Sequence, residues 1–170
     1  MKKVLLLCLI ALSALIVKAD GVAGIEWGTE YEKVEAKLKS RYGEPKGLYI
    51  DAIEYENIVV GGLKFDFALF QFTSNYVKNL LSGCILSMKS SSRDDAEACA
   101  AQIAYTLSTK YEVKKDRIGL TSSDGATTFD YTGLKDGKVY FIIAITKRGE
   151  REYDAYVSWE IEVFDYSDDF

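Results

Sequence analysis

The sequence predicts an α+β fold, with two helices packed on one face of an antiparallel sheet of about six strands. Three observations predict it. The run Gly61-Gly62-Leu-Lys-Phe-Asp-Phe-Ala-Leu-Phe-Gln-Phe72 joins a two-glycine turn signal to a strand too dense in Phe and Leu to lie at the surface. Two other segments carry apolar residues at helical spacing. The two halves also repeat one order of elements: helix, strand, tight hairpin, dense strand, third strand. Each such α-βββ unit has an apolar sheet face too large to leave wet, and two units side by side bury both helices against one sheet.

The elements follow in order. Gly21 to Gly28 is a short lead-in carrying Ile25 and Trp27. Thr29, with Glu32 three residues on, reads as a capping box. Tyr31, Val34, Leu38 and Tyr42 make one apolar helical stripe. Gly43 stops that helix, and Pro45, the only proline, prevents its resumption. Tyr49 to Val60 is strand-like, Leu63 to Phe72 returns from the Gly-Gly turn, and Leu81 to Lys89 is the third strand. Ser92 with Asp95 caps a second, alanine-rich helix from about Arg93 to Tyr111. Glu112 to Gly125 is polar, with room for a short strand around Ile118 and Leu120. Thr127 to Tyr131, Val139 to Thr146 and Tyr153 to Phe164 read as strands, with Asp136-Gly137 a hairpin signal.

The first 19 residues have the three parts of a secretory signal: Met1-Lys2-Lys3, an apolar run from Val4 to Val17 broken only by Ser13, and Ala19 before the expected cut. The expected organisation is a signal peptide over 1–19 and one domain over 20–170, with a pseudo-repeat over 25–91 and 92–164. Cleavage removes Lys2, Lys3 and Lys18, leaving 18 basic and 26 acidic residues and a formal charge of −8. That balance argues against nucleic acid and anionic membranes, and suits a secreted or periplasmic protein with no membrane span after cleavage. Cys84 and Cys99 survive cleavage. In an oxidising compartment they are candidates for a disulfide, two separate buried thiols being the alternative.

The stretch Gly24-Ile25-Glu26-Trp27-Gly28-Thr29, with Val34 on the helix and Tyr42-Gly43 at its end, resembles the repeat of the β-lactamase-inhibitor-protein-like superfamily. Small outer-membrane-assembly lipoproteins share that unit, and small secreted proteins of Bacteroidetes-type bacteria look similar. The resemblance covers about 20 residues and implies a protein-binding envelope module. The second half of the chain lacks the glycine turn before its helix, and the lipoprotein cysteine is missing.

Missing residue types narrow the chemistry. The chain has no histidine, which removes the commonest general base, His-dependent triads and most zinc sites. No phosphate-binding loop, dinucleotide fingerprint or nucleophile elbow occurs. Asp165, Asp168 and Asp169 fail calcium-loop spacing. No cofactor and no metal site is expected. Glu54, Glu56, Asp66, Glu160 and Glu162 lie on strands where a pair could flank a cleft, as a glycosidase requires. Asp66, between Phe65 and Phe67, stands out among them; a solvated sheet face is the plainer account. Twelve tyrosines and two tryptophans suit contact surfaces. Tyr49, Tyr55, Tyr76, Tyr153 and Tyr156 are the candidate binding residues, against the alternative that they ladder a solvent-facing sheet.

The expectation is therefore a non-catalytic binding or envelope-associated module, protein-binding before other ligands, with an envelope protein or a glycan as partner. A carboxylate-dependent glycan hydrolase and a small-ligand carrier are the alternatives. A hydrolase needs a deep pocket with two convergent acids; a carrier needs an apolar cavity between helices and sheet.

Overall fold

A computed structural model describes residues 21–74, 78–122 and 125–160. The expected signal peptide, Tyr76, Glu162 and the acidic tail lie outside the described residues.

The chain opens with a small hairpin, β1 (Gly21–Val22) and β2 (Ile25–Glu26), followed by α1 (Tyr31–Tyr42). Then come β3 (Gly47–Leu48), β4 (Ala52–Val60), β5 (Leu63–Ser74) and β6 (Asn79–Ser90). Helix α2 (Arg93–Ser108) leads to β7 (Glu112–Ser122), β8 (Gly125–Lys135), β9 (Lys138–Gly149) and β10 (Glu152–Glu160). The fold is α+β, and the main sheet is antiparallel. It has eight strands rather than six, in the order β3-β4-β5-β6-β10-β9-β8-β7. Each helix thus precedes a four-stranded meander, and the two meanders meet at β6 and β10.

The two strands beyond the expected six are the outermost ones. β3 is only two residues long, and β7 reads Glu-Val-Lys-Lys-Asp-Arg over its first half, the charged composition that edge strands use. β3 is too short to show a pattern, and β7 shows alternation only at Ile118 and Leu120, where the sequence leaves room for a short strand.

Both hairpin signals do what their backbone chemistry requires. Gly61 and Gly62 have φ of 60° and 83°, and Asp136 and Gly137 have 52° and 75°. Positive φ at both central residues matches the right-handed twist of the flanking strands.

Helix α2 is capped as expected, with the Ser92 hydroxyl accepting from the Asp95 amide at 3.1 Å. Helix α1 is not. Its N-cap is Glu30, which makes no side-chain cap bond, and the Thr29 hydroxyl donates back to the Glu26 carbonyl at 2.8 Å. The cause is tertiary. Gly28 N–H donates to Leu81 O at 2.8 Å, and Leu81 N–H donates to Thr29 O at 2.9 Å. These bonds tie the Gly28 and Thr29 backbone to Leu81 of β6, so the N-cap falls at Glu30 and the helix starts one residue later. At the other end Gly43, at φ 82°, donates to Lys39 O at 2.9 Å and closes the helix.

The core is built on rows that cross the sheet. Tyr55, Ala68, Leu86, Val157 and Ile143 stand side by side on β4, β5, β6, β10 and β9. Ile53, Phe70, Cys84 and Trp159 form the next row. Helix α2 lays Ala96, Ala100, Ile103 and Ala104 over β6, β10 and β9. Three alanines let its backbone approach closely, and Ile103 fills the space that remains. Helix α1 adds Val34 and Leu38 to the same core and touches β6. An aromatic cluster closes one end: Tyr111, Tyr140, Phe141 and Trp159 stack in sequence, and the Trp27 indole N–H donates to the Tyr140 hydroxyl at 2.6 Å. Burial pushes the Tyr140 phenol up to about 12.

Cys84 and Cys99 do not bridge; both are free thiols. Cys99 lies beside Ser90, with Sγ and Oγ 3.8 Å apart. Ser90 is six residues along β6 from Cys84, about 20 Å at ~3.3 Å per residue, whereas a disulfide needs Cα atoms within ~7 Å. Burial pushes the Cys84 thiol well above its ordinary pKa.

Candidate functional site

Strand alternation divides the sheet residues between two faces. Cys84, Leu86, Met88, Ala155 and Val157 point into the core. Their neighbours Ile85, Ser87, Asp154 and Tyr156 therefore point to the face opposite α2, where they line a cavity of about 540 Å³. Its walls come from six adjacent strands: Glu56 of β4, Asp66 and Phe67 of β5, Lys89 of β6, Arg148 of β9 and Thr127 of β8 join the residues already named. Six adjacent strands laid flat would span about 24 Å at ~4.8 Å spacing. One cavity can touch all six only because this face is concave.

The register explains the hollow. Phe67, Ser87, Tyr156 and Ala144 are consecutive cross-strand partners on β5, β6, β10 and β9. Two small residues therefore alternate with two aromatic ones. Ser87 is buried at the bottom, and the half-buried Phe67 and Tyr156 rise on either side. Asn57 of β4 sits at φ 56° between the pairs Glu56–Phe67 and Ile58–Phe65. At this irregularity the adjacent Asp66 and Phe67 both reach the cavity.

Each acid of the cavity is engaged. Lys89 N–H donates to Asp66 Oδ2 at 2.8 Å. Arg148 Nε donates to Asp154 Oδ2 at 3.0 Å. Lys46 Nζ pairs with Glu56 Oε1. Along the rim the Thr127 and Thr146 hydroxyls lie 3.0 Å apart. The exposed Lys89 ammonium has no ion-pair partner among the described residues.

Of the tyrosines singled out from sequence, Tyr156 alone lines this cavity. Tyr49 is 51% exposed but stands at the sheet edge, where its hydroxyl donates to Glu54 Oε2 at 3.1 Å; that bond raises its pKa. Tyr55 is not available to a partner. It is 2% exposed, packs edge-on against Tyr42 and Phe70, and donates to Gly43 O at 3.2 Å. Its hydroxyl makes it look like a surface residue, but the Gly43 carbonyl at the end of α1 satisfies that hydroxyl inside the core. Tyr153 is half-buried against the core. Of the candidate acids, Glu56 and Asp66 line the cavity, Glu54 bonds Tyr49 and Glu160 is exposed.

Sequence reasoning missed Phe67, Ile85, Ser87, Lys89, Thr127, Thr146, Arg148 and Asp154 as site residues. A period-2 signal existed for Asp154, which extends the Tyr156, Ser158, Glu160 face by one step. Nothing local signalled the others, because the cross-sheet register brings them together.

A second hollow, about 580 Å³, lies between the β1–β2 hairpin and α1, where the Arg41 guanidinium donates to Ala23 O. Among the described residues no cluster of three or more His, Cys, Asp or Glu could hold a metal ion. No helix among them is long and apolar enough to cross a membrane. No protein-family model, curated protein or solved structure matches the chain.

Proposed function

We propose that the protein is a secreted or periplasmic, non-catalytic binding module that holds its ligand on the concave sheet face. The cavity carries this reading. A sheet face that met only water would not need Phe67, Ile85 and Tyr156 on its floor, nor a curvature that gathers six strands around them. In this reading both helices shelter the other face. Tyr31 of α1 stacks on Phe72 at 4.7 Å and Tyr42 on Tyr55 at 5.8 Å, and the row through Tyr55 runs on beneath α2. The concave face is then the one left free. The two helix-plus-meander units are a duplication in the same reading, and the signal-like first 19 residues carry the chain out of the cytoplasm.

The engaged acids support binding over hydrolysis. A general acid must carry a proton to donate, whereas each carboxylate here accepts from an N–H or an ammonium on one oxygen and keeps acceptor sites for a ligand hydroxyl. The volume of about 540 Å³ favours a compact ligand over a broad protein partner. Cell fractionation with N-terminal sequencing should find the protein outside the cytoplasm, starting at Asp20. Amide NMR of that protein, titrated with fractionated small-molecule and oligosaccharide extracts, should show shifts at 66–67, 85–89 and 154–156. Shifts confined to other surfaces, or none with any fraction, would overturn the proposal.

A further inference from the structure

We infer that the ligand of the concave face is a neutral glycan, with one sugar ring held between Phe67 and Tyr156 above Ser87; this rests on the binding-module reading above. The spacing points there first. Phe67 and Tyr156 stand on strands two apart, about 10 Å at ~4.8 Å per strand. Side chains rise roughly perpendicular to a sheet, so the two aromatic side chains flank the floor above Ser87 from either side. A ring sandwiched at van der Waals contact needs about 3.5–4 Å on each side, or ~7–8 Å between the flanking rings. The gap therefore admits one flat ring and no more. Ser87, the small residue between them, leaves the floor open for it.

The rim then selects the kind of ring. The rim carries both donors and acceptors. Asp66, Asp154 and Glu56 each keep carboxylate lone pairs beyond the one bond each makes, while Lys89, Arg148 and the Thr127 and Thr146 hydroxyls offer donors. A sugar hydroxyl is donor and acceptor at once, so a polyhydroxylated ring satisfies both kinds of group around its whole edge. Carboxylates that accept from sugar hydroxyls make the stronger, charge-assisted bonds. A lipid or aryl anion would place its charge beside three acids, and of the cations there Lys46 and Arg148 already serve Glu56 and Asp154. A fully apolar ligand would leave the rim groups without water or partner. A peptide lying on this face would gain no ladder bonds, because the backbone groups there are already paired within the sheet.

The test is a neutral-glycan array probed with the protein recovered after export. Positives are followed by titration of Tyr156→Ala, Phe67→Ala and the isosteric Asp66→Asn. Palmitate and an unstructured peptide pool run in parallel, and amide NMR confirms that each variant is folded. Wild type should bind at least one neutral oligosaccharide. Either aromatic truncation should lower affinity at least about ten-fold and Asp66→Asn about three- to ten-fold, as expected when a base-like stacking platform or a charge-assisted bond is lost. Binding should change little between low and high salt, since the ligand carries no charge. Reducing ends should not accumulate. Array binding no better than that of Tyr156→Ala overturns the glycan inference. If palmitate or peptide then shifts the 66–67, 85–89 and 154–156 amides, the binding module stands with a different ligand. If neither does, both readings fall. Released reducing ends would overturn the non-catalytic reading while keeping the glycan.

Discussion

Replacing Gly133 by alanine tests the packing that anchors the second meander. Gly133 is buried on β8, directly opposite Phe141 of β9. A Cβ placed there would lie 2.1 Å from Phe141 Cζ and within 2.4 Å of two further ring atoms. The Phe141 ring therefore rests flat on the glycine, in space that a methyl group would occupy. It cannot swing away cheaply, because Tyr111 and Trp159 stack on it at 5.4 and 5.7 Å. Overpacking of this kind costs about 1–3 kcal/mol. For a protein of this size each kcal/mol is worth roughly 2–4 °C, so Tm should fall by about 2–12 °C. Urea unfolding should show a lower midpoint with an unchanged m-value. Adding Phe141→Leu should make the pair more stable than the two single losses predict, by about 1 kcal/mol, because the smaller side chain yields to the new methyl. An unshifted midpoint for Gly133→Ala, or strict additivity in the double variant, would falsify this account of the β8–β9 contact.

Other outcomes follow from single contacts. Ser92→Ala should cost about 1 kcal/mol in urea unfolding through loss of the α2 cap; an unchanged midpoint would show that the 3.1 Å bond contributes nothing. In the native protein a thiol reagent should label half-buried Cys99 and leave Cys84 untouched, with both reacting in guanidinium; a disulfide-linked peptide in a non-reducing digest would contradict the fold. Tyr140 has its pKa raised from 10 to about 12, so the folded state holds the phenol proton more tightly than the unfolded chain does. Its contribution is complete below pH ~10 and is lost as pH rises toward ~12. The ceiling of ~2.7 kcal/mol drops to about 1–2 once solvent screening of the half-exposed ring is allowed for. Tyr140→Phe should flatten that alkaline decline and cost about 1 kcal/mol at neutral pH by orphaning the Trp27 N–H; an identical decline in both proteins would sink the assignment.

Local signals are strong where backbone geometry requires one residue type. The paired positive φ at 61–62 and 136–137, the Gly43 stop and the Ser92 cap are all legible in the residues themselves. The helix stripes are legible too, because Val34, Leu38, Ala96, Ala100 and Ile103 repeat at the helical period and do face the core. Where tertiary contacts override the local preference, sequence patterns mislead. Thr29 has the chemistry of an N-cap, but its backbone is claimed by Leu81. Tyr55 has a polar tip, but α1 supplies an acceptor for it inside. The candidate site is the least legible part. Asp66 and Tyr156 can be named from sequence, but not that β6 stands between their strands, since that adjacency comes from two meanders meeting at their last strands.

That meeting point also bears on why the protein would bind through a face rather than an edge. Edges invite strand addition unless they are short, charged or irregular. One edge is the two-residue β3, which leaves Tyr55–Val60 of β4 without a ladder partner on that side among the described residues, but Asn57 at φ 56° interrupts that stretch. The other, β7, carries Lys114, Lys115 and Asp116, and its register with β8 shifts between Lys115 and Ile118. The edges are thus poor templates, while the sheet centre is where curvature and side chains combine. β6 and β10 lie at the centre, and their outward residues, Ile85, Ser87, Lys89, Asp154 and Tyr156, supply five of the cavity's lining groups. Joining two meanders at their last strands places the best-supported strands, held by neighbours on both sides and by α2 beneath, under the hollow. In the proposed binding role, strands so supported would keep the Phe67–Tyr156 gap fixed before a ligand arrives, so little ordering entropy would oppose binding there.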